Sequence, residues 1–224
     1  MNLPVLLRCA LSGLKICLGL DEKLKSLKII QMAKKKDSEK TKEELLKEVE
    51  ELRERVEELK NPIDEVTGLY IWIYFLNLAE REFERARRFK RPLSVILLDI
   101  DHLKKINTEY NKGCGDQILI EVSRRCRDNI RDLDYIGSYE GGKFILLLLE
   151  TSKSDAKKAG DRLRRIIASR PISTQRGSLT VTVSIGVADK TAAMTDISSL
   201  LQKADEALFS AKEQGRNRVE TSGN

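Results

Sequence analysis

A ferredoxin-like, palm-like α/β sandwich preceded by a coiled-coil helix is the fold class the sequence predicts. Three observations predict it. Residues 37–61 carry a heptad seam, Leu93–Ile100 is a continuous apolar run of strand length, and strand and helix patterns follow one another as βαββαβ from residue 64 onward.

The chain opens with a basic tail, residues 1–36, in which eight Lys/Arg face two Asp/Glu. Residues 3–20 are apolar but broken by Pro4, Arg8 and Lys15, so they make a poor membrane span. Arg8, Ser12, Lys15, Gly19 and Glu22 fall on one helical stripe, which predicts an amphipathic helix that could lie on a membrane surface. A second reading stands beside it: Met32 begins the native chain, and residues 1–31 are an extension without structure. A cleaved signal peptide does not fit, because the charges sit inside the apolar region.

Leu45, Val49, Leu52, Val56 and Leu59 are spaced 4, 3, 4 and 3, the seam of a two-stranded coiled coil flanked by Lys and Glu. So few heptads pair weakly, and the alternative is a lone solvated helix. Asn61-Pro62 ends the helix, since proline cannot continue the hydrogen-bond ladder.

The pattern of the third region, residues 62–220, predicts a helix over 73–90 with Phe75, Leu78, Phe83 and Ala86 inward. A central strand over 93–100 contains Asp99, and a helix covers 115–130. Strands at 135–138 and 144–149 flank a turn at Tyr139–Lys143. A helix over 156–168, a strand over 179–188 and a helix over 197–214 complete the set.

The net charge of +6 belongs to the tail, because residues 37–224 hold 33 Lys/Arg and 33 Asp/Glu. A neutral globular part excludes a broad nucleic-acid face. Cys9, Cys17, Cys114 and Cys126 form no CxxC pair and His102 is the only histidine, so a zinc site is excluded. Buried free thiols in a reducing cytoplasm are the expectation, with membrane association resting on the tail alone.

Five stretches then stand in a fixed order: Asp64-Glu-Val-Thr-Gly-Leu69, Asp99-Ile-Asp-His-Leu-Lys-Lys-Ile-Asn107, Gly115-Asp116, Val183-Ser-Ile-Gly-Val187, and Ala204-Asp-Glu-Ala-Leu-Phe-Ser-Ala-Lys212 running into Gly215-Arg-Asn217. Together they resemble the GGDEF family of diguanylate cyclases over residues 64–220. The resemblance implies a nucleotidyl-cyclase palm fold and the condensation of two GTP into cyclic di-GMP across a two-fold dimer. It also implies two divalent cations, Mg²⁺ in kind, held by Asp99 and by an acidic residue at the third position of the signature turn.

The signature turn departs from the family pattern. It reads Glu140-Gly141-Gly142-Lys143-Phe144, with no side chain at the third position and an ammonium at the fourth, which repels a cation. A shift bringing Glu140 inward is the one rescue. The family's Asn-Arg after the first Gly-Leu is replaced by Ile71-Trp72, with Trp72 expected in the core.

The nucleotide pocket is better kept. By resemblance Asn107 and Asp116 are the guanine-binding pair, and Lys104, Lys212 and Arg216 are phosphate-contacting cations. Arg131-Asp132-Leu133-Asp134 matches the family's RxxD product-binding motif six residues before Glu140, and Arg162 matches a further arginine of that site. An arginine and a carboxylate complement guanine acceptors and donors, although an i,i+3 salt bridge is the simpler reading of RxxD.

The expected function is therefore a degenerate GGDEF domain that binds cyclic di-GMP at Arg131, Asp134 and Arg162 and does not make it. No cofactor is required, and Mg²⁺ enters only with residual cyclase or GTP binding. Two alternatives remain: a weak cyclase using Asp99 and Glu140, and a GTP-binding pseudoenzyme that regulates another cyclase. The expected partners are cyclic di-GMP, GTP, a second copy of the chain and a downstream protein.

Overall fold

The computed structural model describes residue 41, residues 44–47 and 49–50, and residues 62–223. The chain divides into two compact units, Met1–Val56 and Glu57–Asn224. In the first, residues 44–47 and 49–50 are helical. Thr41 and Glu44 cap that helix reciprocally: the Thr41 N–H donates to Glu44 Oε2 at 2.7 Å, and the Glu44 N–H donates to Thr41 Oγ1 at 3.3 Å. Leu45 and Val49 are exposed, as seam positions of a single chain must be. The rest of the seam and the whole basic tail, including the predicted amphipathic helix, lie outside the described residues.

The second unit begins with helix α1 (Trp72–Arg88) and strand β1 (Leu93–Ile100), followed by α2 (Leu103–Tyr110) and α3 (Lys112–Arg127). A hairpin of β2 (Tyr135–Tyr139) and β3 (Lys143–Leu149) encloses a 3-10 turn at Glu140–Gly142. Then come α4 (Lys153–Ser169), a small hairpin of β4 (Ile172–Thr174) and β5 (Gly177–Leu179), β6 (Val183–Asp189), α5 (Ile197–Glu213) and β7 (Val219–Thr221). The main sheet runs β2-β3-β1-β6-β7. It is antiparallel except for β7, which lies parallel to β6. Its first four strands have the ferredoxin-like order, so the predicted fold class stands.

Helices cover both faces of the sheet, which is why all eight residues of β1 are buried and read as one apolar run. Ile96, Leu98 and Ile100 point into the core shared with α3 and α4, whereas Val95 and Leu97 join that of α1 and α5. Phe75, Phe83 and Ala86 are buried on α1 as the periodicity requires, but Ala79 takes the inward place predicted for Leu78.

The structure differs from the sequence-based expectation in three places besides Leu78 and the helix ends: after β1, over 179–188, and at two short strands. The segment after β1 holds two helices, because Asn111 at φ 114° breaks the chain and its side chain caps α3 by accepting the Cys114 N–H at 3.0 Å. The strand predicted over 179–188 is interrupted between Leu179 and Val183, where Thr182 turns to bind Asp101. β4 and β7 are three-residue strands whose apolar pattern was too short to read.

Candidate functional site

At the end of β1, Asp99 and Asp101 are both buried and have different tasks. Asp101 accepts from Thr182 Oγ1 at 2.6 Å, Ser184 Oγ at 2.7 Å and the Asn217 N–H at 3.2 Å. It is fully engaged in tying β1 to β6 and to the loop before β7. The sequence reading assigned it no role, although its place two residues after Asp99 was a usable signal. Asp99 pairs across the sheet with Lys143 of β3, and its Oδ2 accepts from Lys212 Nζ of α5 at 2.7 Å.

The signature turn is built on two glycines in the left-handed region, Gly141 at φ 72° and Gly142 at φ 88°. A Cβ on Gly142 would lie 2.3 Å from Leu103 Cδ2. That backbone disfavours any residue but glycine at this position, quite apart from the contact. Glu140 is exposed on the turn. Lys143 lays its ammonium 5.6 Å from the Tyr139 ring centroid and 3.8 Å from Asp205 Oδ1.

These residues do not fit a divalent cation, which needs several converging oxygen ligands. Asp99 already holds an ammonium, Asp101 is consumed by three hydrogen bonds, and the third signature position offers no side chain. Among the described residues no three His, Cys, Asp or Glu side chains converge.

The residues singled out for the nucleotide are only partly gathered. Asn107 on α2 rests its Oδ1 1.8 Å from where a Gly115 Cβ would be, so glycine there lets its amide cover the first turn of α3, beside Asp116. Lys212 reaches Asp99, while Lys104 and Arg216 stay exposed and form no ion pair among the described residues. The stretch from Asp64 to Leu69 is a structural device. Asp64 Oδ1 accepts from the Thr67 N–H at 2.7 Å and from its hydroxyl at 2.6 Å, and the Thr67 carbonyl is gripped by Ser123 and Arg127 of α3. Between this loop and the signature turn lies a groove of about 370 Å³.

Arg131, Asp134 and Arg162 do meet. They line one cleft of about 220 Å³ with Asp155 and Lys158 on the α4 side of the sheet. Asp134 makes no i,i+3 side-chain salt bridge. Its Oδ1 accepts the Leu149 N–H at 3.0 Å and its Oδ2 the Arg131 N–H at 3.4 Å, which fixes the loop against β3. Arg131 is exposed, with its guanidinium unengaged in any ion pair among the described residues. Arg162 Nη2 donates to the Asn129 carbonyl at 2.8 Å. Burial pushes the Asp134 carboxyl above the usual 3.8, opposed by the two backbone N–H groups and by the Arg131 charge. Trp72, expected in the core, is half-buried and packs its ring 4.5 Å from that of Tyr139.

No described helix is long and apolar enough to cross a membrane. The family model described as "Diguanylate cyclase, GGDEF domain" matches residues 61–218. The chain is 37% identical over 145 residues to diguanylate cyclase DosC of Escherichia coli K12, covering 64% of this chain and 31% of that protein. It is 34% identical over 157 residues to the response regulator PleD of Caulobacter vibrioides, covering 69% and 35%. The chain thus spans about a third of the length of these curated relatives. Among solved structures it resembles the coiled coil and GGDEF domain of DgcB from Caulobacter crescentus in complex with c-di-GMP. There the TM-score is 0.69 at 26% identity, covering 85% of this chain and 98% of that one. The active GGEEF domain of a diguanylate cyclase from Vibrio cholerae superposes with a TM-score of 0.63 at 28% identity, covering 66% and 94%. A family match over most of the described fold, with the five sequence stretches in place on it, means that this chain belongs to the GGDEF domain family.

Proposed function

We propose that this chain is a non-catalytic receptor for cyclic di-GMP, a degenerate GGDEF domain that takes the dinucleotide at Arg131, Asp134 and Arg162. The observation that carries this reading is a contrast between two places. Arg131, Asp134 and Arg162 line one cleft, whereas the third position of the signature turn is Gly142 and Asp99 is paired with Lys212. The cleft offers two guanidinium groups and a carboxylate, which complement guanine O6 and N7 acceptors and N1 and N2 donors. The heptad seam would pair two copies, so that a dinucleotide shared by two domains is reported through the helix to a partner. GTP is a second ligand of this reading, supported by Asn107 lying over Gly115 beside Asp116, with no metal ion required.

The test is calorimetric titration of the full chain with cyclic di-GMP and with GTP, each with and without Mg²⁺, beside a product assay. Cyclic di-GMP is expected to bind in the absence of Mg²⁺, and GTP with Mg²⁺ or Mn²⁺ is expected to yield no cyclic di-GMP above a no-protein control. Sustained multiple turnover would overturn the reading in favour of a weak cyclase using Asp99 and Glu140.

Restoring acidic side chains is expected to fail. In the double variant Gly142→Glu, Lys143→Glu, residue 142 must hold φ near 88° and displace Leu103. The variant is expected to melt lower than the parent and still to make no product, because the new carboxylate sits on a backbone shaped for glycine. Recovery of turnover would mean that the turn re-forms easily and that only side chains were missing.

Binding should also depend on pH through Asp134. Its pKa is raised in the folded protein, so its protonated form contributes stability below 3.8 that is lost as pH rises through the higher folded value. Guanine donors require the anion. Affinity for cyclic di-GMP is therefore expected to rise with pH through the range just above 3.8 and to level off towards neutrality. Titrations at a series of pH values check this, and Asp134→Asn should flatten the profile.

A further inference from the structure

We propose that the cleft walled by Trp72, Tyr139 and Lys143, between α1 and α5, is a binding site for a small planar aromatic anion. Trp72 and Lys143 are both places where the chain departs from the GGDEF pattern, and neither lines the Arg131 cleft. The structure brings them to the same cavity. It has a volume of about 350 Å³, and small-molecule sites begin at roughly 300 Å³.

Its chemistry is divided. The inner wall is apolar sheet surface from Val95, Leu97 and Ile145. At one side the Trp72 and Tyr139 rings meet at 4.5 Å with a 50° tilt, which presents aromatic surface to a flat ligand. Lys143 is the one cation among the lining residues. Its ion-pair partner among the described residues is Asp205 at 3.8 Å, and the Asp205 side chain is 62% exposed, so the contact is long and easily exchanged. A ligand carboxylate can take the ammonium while Asp205 turns to water, and neither charge is left buried alone. The polar side chains of Ser198 and Gln202 stand at the same cavity and can bond a ligand's edge.

The cavity is separate from the Arg131 cleft. That cleft is floored by Ile96, Leu146 and Leu148, and this one by Val95, Leu97 and Ile145, neighbours that project to opposite faces of the sheet. Failure of one reading therefore leaves the other intact.

Trp72 is the only tryptophan of the chain and lines both this cavity and the groove beside the signature turn, so its fluorescence reports binding at either, and variants of Lys143 and Ser198, which line this cavity alone, tell the two apart. The full chain is titrated with 4-nitrobenzoate and with its neutral counterpart 4-nitrobenzamide, followed by fluorescence quenching and by calorimetry. Saturable binding of the acid is expected with Kd on the order of 0.1–1 mM, as a ligand of this size allows. The amide should bind about tenfold more weakly, which is the loss of one charged contact. Lys143→Met should abolish that difference. Ser198→Phe should block both compounds, with its thermal melt checking the fold. If it does not fold, the acid-to-amide ratio and Lys143→Met decide alone. Arg131→Ala should leave the binding of both compounds as it is, since Arg131 lines the other cleft. The proposal fails if quenching by the acid does not saturate, if Lys143→Met leaves the acid's affinity within about twofold, or if Arg131→Ala abolishes binding.

Discussion

Arg125→Ala is expected to destabilise the domain by about 3–5 kcal/mol, the largest effect of any single truncation considered for this chain. The Arg125 side chain is 7% exposed on α3 and acts at the far end of α4. Its Nη1 donates to the carbonyls of Ile167 at 2.9 Å and Arg170 at 2.7 Å, its Nη2 to that of Pro171 at 3.4 Å, and its Nε to Glu121 at 2.8 Å. One guanidinium thus satisfies carbonyls that the helix end cannot pair for itself, where the helix dipole also favours a cation. Truncation strands those carbonyls and opens a void. Glu121 keeps Arg124, whose hydrogen bond is the main cause of its pKa falling to about 2 against the opposing effect of burial. Its own contribution to stability, present above 4.5 and lost as pH falls towards 2, should largely survive. Urea denaturation of parent and variant measures the loss. Arg125→Lys should recover only part of it, since an ammonium cannot span the same set. A change under about 1 kcal/mol would mean that water replaces the clamp.

The clamp joins α3 to α4, the helix that carries Arg162. Asn129 follows α3, donates to the Arg125 carbonyl at 2.8 Å and accepts from Arg162. Asn129, where the loop that delivers Arg131 begins, is thus held by the α3 backbone through its side chain and by Arg162 of α4 through its carbonyl. None of this was legible in the sequence, because Arg125 reads as one more cation on a charged helix and its carbonyl partners lie more than forty residues away. What was legible is local or periodic. The apolar run of β1, the inward stripe of α1 and the hairpin flanking the signature turn follow from side-chain spacing alone. Asn111 shows where that logic stops. The sequence predicts one helix over 115–130, and a polar residue ahead of it gives no sign that its backbone will turn to φ 114° or that another helix stands before it. The candidate sites divide in the same way. Glycine at position 142 could be read directly, but its left-handed backbone and the nearness of Leu103 appear only in three dimensions. For RxxD, the i,i+3 spacing suggested a side-chain salt bridge, yet Asp134 turns to backbone N–H groups and leaves the Arg131 guanidinium for another partner.

That guanidinium, in no ion pair among the described residues, makes Arg131→Ala the sharpest test of the proposed ligand site. In the exposed loop it can present two parallel N–H donors to guanine O6 and N7, and its removal leaves those acceptors unpaired in the complex. The expected loss is roughly ten- to a hundredfold in affinity for cyclic di-GMP, or about 1–3 kcal/mol. Asp134 needs more care, because its carboxylate also anchors the loop by accepting the Leu149 N–H. Asp134→Ala should weaken binding by a similar factor and lower the melting temperature as well. Asp134→Asn largely separates the two effects: its amide oxygen can still accept from Leu149, while its amide nitrogen gives up only the longer bond from the Arg131 N–H and cannot accept from guanine donors. The melt should then be kept and the affinity lost. Arg162 is engaged with the Asn129 carbonyl and must exchange that partner to reach a ligand. Arg162→Ala is therefore expected to matter mainly where two domains share one dinucleotide, as a loss of ligand-linked dimer in light scattering. GTP binding at Asn107 and Asp116 should be untouched by all of these changes. If Arg131→Ala binds cyclic di-GMP as tightly as the parent in calorimetry, the dinucleotide is held elsewhere and this cleft is only a hinge between α3 and β3.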